Sequence, residues 1–206
     1  MDCHARALKR LAVFYQSQAL GISTMFRCIV LVPSYNSGAL LHRTVLAVLA
    51  VWADVVVVID GSTDGSGQAV EDMLATHAGL HVLHLPRNGG KGEAVLHGAE
   101  WALQHGYTHV LTMDADGQHP VAAVHDFVAA ARCAPQAMVL GVPLFGPAAP
   151  ALRVWGRKLS NILVQVETPG AVRDCLFGLR VYPVQPSVAV LRAPRFIRRF
   201  DFYPQA

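Results

Sequence analysis

Asp114 and Asp116 stand one residue apart at the end of the apolar run Val110-Leu111-Thr112-Met113, with Gly117, Gln118, His119 and Pro120 behind them. Two carboxylates crowded at the end of a buried strand are costly unless a positive charge joins them. Hard divalent cations take oxygen ligands, and Mg²⁺ is commonly held by one or two carboxylates plus substrate phosphates. Gly117 permits a sharp turn, and Pro120 suits the first turn of a following helix. The chemistry this stretch points to is a metal–diphosphate site. The competing reading is a solvated Asp-rich loop.

Three other turns carry polar groups of the same kind. Pro33-Ser34-Tyr35-Asn36 follows the apolar run 28–32, Asp60-Gly61-Ser62-Thr63-Asp64 follows 55–59, and Arg87-Asn88-Gly89-Gly90-Lys91-Gly92 follows 81–85. Long cations and glycine-exposed backbone suit anionic oxygen. Each turn also has a plain structural use. Asn36 or Ser37 can cap a helix, Asp60 can cap its own turn, and Lys91 can be a solvated first-turn lysine.

The elements that must position these turns follow from periodicity. Continuous apolar runs at 28–32, 55–59, 81–85 and 110–113 read as strands covered on both faces. Helices are expected after residue 37, near 68–77, from 92 through 103, and over 121–131. A further strand is expected at 138–140, an amphipathic helix at 152–166 and a strand at 179–182. This βα alternation gives an α/β fold, a three-layer sandwich with a mostly parallel central sheet. In such sheets ligands gather beyond the carboxyl ends of strands, so turns far apart in sequence line one crevice.

The chain has 206 residues, enough for one domain with its own core. Residues 1–24 read as an N-terminal extension, disordered or helical, and residues 25–206 as the domain. Cys3, Cys28, Cys133 and Cys175 have no close spacing, which argues against a disulfide framework or a zinc site. Residues 1–150 hold 8 Lys/Arg against 11 Asp/Glu, and residues 151–206 hold 9 against 3. That basic final quarter can face an anionic lipid surface or an anionic substrate. No apolar stretch is long enough to span a bilayer, and the run 11–15 is too short for a signal peptide.

Several phosphate motifs are excluded. Leu85 and Gly92 stand where a Walker loop needs Gly and Ser or Thr, and no G-x-G-x-x-G follows the first strand. Gln118 and His119 break a calcium loop. A strand followed by D-x-D-G also fits haloacid-dehalogenase-type phosphatases, with Asp114 as nucleophile and Asp116 as acid/base. Gln118 and the late position of the motif weigh against it.

Together the segments V-P-S-Y-N at 32–36, I-D-G-S-T-D at 59–64, R-N-G-G-K-G at 87–92, D-A-D-G-Q-H at 114–119 and D-C-L-F-G-L-R-V-Y at 174–182 resemble the family 2 glycosyltransferases of GT-A fold, a Rossmann-like architecture. The likeness is strongest to the polyprenyl- or dolichyl-phosphate sugar transferase branch. It implies that Pro33, Tyr35, Asn36, Asp60, Arg87, Lys91, Asp114 and Ala115 bind a UDP- or GDP-sugar, and that Asp114, Asp116 and Gln118 hold Mg²⁺ or Mn²⁺. It implies inversion at the sugar carbon, with Asp174 as base where the acceptor is a hydroxyl, and Arg180 on the acceptor side. The implied acceptor is a lipid or lipid-linked group, a polyprenyl phosphate or hydroxyl, with no nucleic acid. Helix 152–166 and the basic C-terminal segment would face it, at the inner face of the cytoplasmic membrane. Phe200-Asp201-Phe202 resembles the start of F-D-F-D-T/P-E, so the expected domain is C-terminally shortened. The alternative is a nucleotide-sugar-binding module with little turnover.

Overall fold

Cys28–Ser34 and Val55–Asp60 are buried at every position, as a strand covered on both faces must be. The structure is a computed structural model that describes residues 11–14, 25–141 and 178–192. In chain order its elements are β1 (Leu11–Phe14), β2 (Cys28–Ser34), α1 (Gly38–Leu49), β3 (Val55–Asp60), α2 (Ser66–Glu71), β4 (Leu80–Leu85) and α3 (Lys91–Gln104). They continue as β5 (His109–Thr112), α4 (Ala123–Cys133), β6 (Met138–Gly141), β7 (Arg180–Pro183) and α5 (Val184–Leu191).

The strands form one sheet in the order β1-β6-β7-β5-β2-β3-β4. The four strands β4, β3, β2 and β5 run parallel, while β7, β6 and β1 extend the β5 side with antiparallel pairings. The chain passes from β2 to β3 to β4 on one side. Helix α3 then returns it past β2 and lays β5 on the other side. The strand order therefore reverses at β2, which is where an open α/β sheet leaves a crevice.

Alternation along the strands divides the core between two faces. Val30, Val32, Val55 and Val57 pack with Leu41, Val45 and Val48 of α1 and with Val124 and Val128 of α4. Ile29, Leu31, Val56 and Val58 pack with Ala94, Val95 and Ala99 of α3 and with Val184 and Val188 of α5. This is the expected three-layer sandwich. Helix α3 lies so close to the sheet that a Cβ at Gly98 would collide with the Leu31 side chain.

Three features differ from expectation. Leu11–Phe14, inside the segment expected to be disordered or helical, is extended and pairs with β6, Leu11 opposite Gly141 and Phe14 opposite Met138. The edge of β6 offers those residues backbone hydrogen-bond partners. Helix α2 ends at Glu71 rather than His77, because the next residues turn through three-residue hydrogen bonds such as Thr76 N–H to Met73 C=O at 3.1 Å. The strand expected at 179–182 is present as β7, paired antiparallel with β5. Helix α5 was not expected from the sequence. The helix expected at 152–166 and Asp174 lie outside the described residues.

Candidate functional site

The β2 and β3 turns are stitched together by side chains. Asn36 sits in the left-handed region with φ 47°, which a short amide side chain tolerates. Its Oδ1 accepts the Thr63 N–H at 2.8 Å, and its own N–H donates to Ser62 Oγ at 3.0 Å. Asp64 accepts the Gly38 N–H at 2.8 Å and the Ser66 hydroxyl at 2.6 Å. The Ser66 hydroxyl and neighbouring amides hold the Asp64 carboxyl below its usual range. Tyr35 is left 51% exposed on the lip of the crevice.

Asp60, at the end of β3, organises the glycine-rich turn. It is 2% exposed, and its two oxygens accept the N–H groups of Gly89 and Gly90, each at 2.9 Å. Asn88 Oδ1 also accepts the Gly90 N–H, at 2.8 Å. Gly90 has φ 88° and ψ 164°, a conformation that only glycine adopts without strain. The chain leaves it directly into the first turn of α3, so an amino-terminal helix end, favourable to anions, opens on the crevice at Lys91.

Asp114 follows β5. The Lys91 ammonium pairs with its Oδ1, and His119 Nε2 lies 3.2 Å from its Oδ2. Burial pushes the Asp114 carboxyl up, but the His119 hydrogen bond and the Lys91 charge outweigh it and hold the group down at about 2. A Cβ at Gly178 would strike the carboxylate, so glycine there makes its seat. Thr112 donates its hydroxyl to the Gly178 carbonyl at 2.9 Å, and Thr44 of α1 donates to the Ala115 carbonyl at 3.0 Å. Asp116 is exposed, with Oδ1 accepting the Gln118 N–H at 2.9 Å.

These turns enclose a cleft of about 500 Å³ beyond the carboxyl ends of β2, β3 and β5. Of the residues singled out in the sequence, Pro33, Tyr35, Asn36, Asp60, Lys91, Asp114, Ala115 and Asp116 line it together. Arg87 and Gln118 are exposed outside that lining. Arg180 lies in the sheet layer, 2% exposed, opposite Thr112, with Nη1 3.3 Å from Tyr182 Oη. Sequence reasoning assigned no role to Asn88, His119, Thr44 or Gly178. Asn88, His119 and Gly178 sit inside motifs already noted, whereas Thr44 is revealed only by its contact.

The donor set fits a hard divalent cation in one mode. Two carboxylates from one turn reach the same cleft, and neither is backed by sulfur or by a cage. Among the described residues no cluster of three or more His, Cys, Asp or Glu could hold a metal unaided. Mg²⁺ or Mn²⁺ on Asp114 and Asp116 would take its other ligands from substrate phosphate and water.

The family described as Glycosyl transferase family 2 matches residues 29–187. Over 95 residues the chain is 37% identical to an undecaprenyl-phosphate mannosyltransferase of Micrococcus luteus, covering 45% of this chain and 39% of that protein. Over 160 residues it is 32% identical to an undecaprenyl-phosphate 4-deoxy-4-formamido-L-arabinose transferase of Pseudomonas fluorescens, covering 74% of this chain and 46% of that protein. A solved structure of S. aureus TarS, residues 1–349, superposes with a TM-score of 0.51 at 24% identity, over 77% of this chain and 47% of that chain. That likeness concerns the fold alone. The chain spans less than half the length of these curated relatives.

Proposed function

The chain belongs to glycosyl transferase family 2 and has its GT-A architecture, and on that premise we propose that it moves a sugar from a UDP- or GDP-sugar to a lipid or lipid-linked acceptor. The observation that carries this reading is the convergence of Lys91, Asp114 and Asp116 on one cleft beside the first turn of α3. A diphosphate is the ligand that suits a lysine, an amino-terminal helix end and a cation-ready carboxylate pair at once. The sugar transferases among its relatives, named for undecaprenyl phosphate, support an acceptor of that class.

In this reading the two stitched turns hold the nucleoside end, with Tyr35 offering its ring and Asn36 fixing the backbone around it. Asp60 presets the glycine-rich turn rather than reaching for the ligand with spare oxygens, because both are taken by amides. Lys91 meets the diphosphate, and Arg87 reaches it from outside the cleft. A divalent cation held by Asp114 and Asp116, with Gln118 at its edge, would supply neutralisation of charge on the departing nucleoside diphosphate. Inversion requires attack on the sugar carbon from the face opposite that diphosphate. A phosphate acceptor is already anionic and needs no base, whereas a hydroxyl acceptor loses its proton to Asp174. Transfer takes place at the inner face of the cytoplasmic membrane, and Arg180, 2% exposed in the sheet layer, supports the acceptor side as a structural partner instead of touching the acceptor.

Calorimetric titration of UDP and GDP with Mn²⁺ or Mg²⁺ tests the donor site, and transfer to lipid extracts tests turnover. Cation-assisted binding of either nucleotide is the expected result. No binding of either would remove the donor assignment, and binding without turnover would leave a nucleotide-sugar-binding module. Full rates after Asp174→Asn would rule out its role as base.

A further inference from the structure

Both oxygens of Asp114 face positive or donating groups, Lys91 on Oδ1 and His119 on Oδ2. A divalent cation that needs Asp114 must therefore take Oδ1 from an ammonium already there. Two like-charged partners cannot share one oxygen at contact distance without strong repulsion. The backbone of Lys91 is held, because Asp60 anchors the two amides just before it. Its side chain is not sealed in: Lys91 and Asp114 keep 31% and 29% of their side-chain surface exposed. A pair left about a third exposed to water is screened, so a more highly charged anion nearby can claim the lysine. A diphosphate arriving at the first turn of α3 is such an anion, and a four-carbon stem on a fixed Cα can swing to it.

We propose that Lys91 is the resting counter-ion of Asp114 and is handed to the donor's diphosphate on binding, so that the divalent cation binds well only together with a nucleoside diphosphate. This deepens the donor-site reading above and rests on it. The coupling is reciprocal: whatever factor the nucleotide adds to cation affinity, the cation adds to nucleotide affinity. His119 keeps the second oxygen in place while the first changes partners.

The test measures Mn²⁺ binding to the whole chain by the paramagnetic resonance of free Mn²⁺, with and without UDP or GDP. Wild type is compared with Lys91→Met, and with Arg43→Met as a control for loss of an exposed positive charge away from the cleft. The expected result is that Lys91→Met binds Mn²⁺ alone about tenfold more tightly than wild type, while the nucleotide's enhancement of Mn²⁺ affinity shrinks. Arg43→Met should change binding of Mn²⁺ alone by no more than about twofold, as an exposed charge would. If Lys91→Met binds Mn²⁺ alone no better than Arg43→Met does, the handover is overturned while the donor site stands. If wild type binds neither nucleotide, the donor site itself has failed and the handover with it. Should Lys91→Met not fold by circular dichroism, Lys91→Gln gives the same reading with a shorter neutral side chain.

Discussion

The hydroxyl of Thr44, in the middle of α1, donates to the carbonyl of Ala115, the residue between the two cleft aspartates, at 3.0 Å. Thr44 is 4% exposed and Ala115 7%, so neither group can turn to bulk water instead. Replacing Thr44 by Val keeps the shape and strands a buried carbonyl. We expect a loss of about 1–3 kcal/mol in denaturant unfolding. Cation-assisted nucleotide binding should also weaken, because the turn loses its tether; unchanged binding would show that the tether does not set the aspartates.

Asp116 faces solvent and takes a hydrogen bond from its own turn, so its removal should spare the fold. Asp116→Ala is expected to cut the cation's enhancement of UDP or GDP affinity by about tenfold or more, the loss of one charge-assisted partner. Unchanged binding by calorimetry would remove Asp116 from the cation site.

Two glycines provide a matched pair. A Cβ at Gly178 meets the Asp114 carboxylate, and a Cβ at Gly98 meets the Leu31 side chain in the core away from the cleft. Each alanine variant should cost about 1–3 kcal/mol as overpacking. Only Gly178→Ala should also lower cation-assisted binding. Equal effects on binding would mean that the Asp114 seat is no more sensitive than the general core.

A pH effect follows from His109, which is 3% exposed, stacks on Phe26 at 4.4 Å and has Nε2 2.9 Å from the Pro135 carbonyl. A carbonyl only accepts, so Nε2 carries the hydrogen in the neutral ring. Burial lowers the His109 pKa below 6.5, partly offset by that carbonyl. The unfolded chain therefore takes up a proton near 6.5 that the folded chain refuses, and stability falls as pH drops through and below that value. His81 is shifted the same way by burial and by His105. Denaturant titrations at pH 7.5 and 5.5 should show the wild type weaker at 5.5, and His109→Gln should reduce the difference. An unchanged difference would acquit His109.

What could be read in the sequence was what local pattern encodes. The runs at 28–32 and 55–59 announce doubly covered strands because every residue in them is apolar. The polar turns after them announce a crevice because chain order alone places them at strand ends. Helix α5 escaped notice because Val184-Gln185-Pro186-Ser187 has a proline and a β-branched residue in its first turn, where they are tolerated but do not advertise a helix. The strand at Leu11–Phe14 escaped because its partner lies over a hundred residues away. The same holds within the site. The Asp114, Asp116, Lys91 and Gly178 types are visible as motifs, while Thr44 matters only through a contact that no spacing rule encodes.

Strands β6 and β7 are antiparallel neighbours, and the Gly141 N–H donates to the Leu179 carbonyl at 3.1 Å. The sheet therefore fixes residues 141 and 179 as neighbours, and any exchange of the chain between them keeps its two attachment points as long as that hydrogen bond and the β6–β7 register are kept.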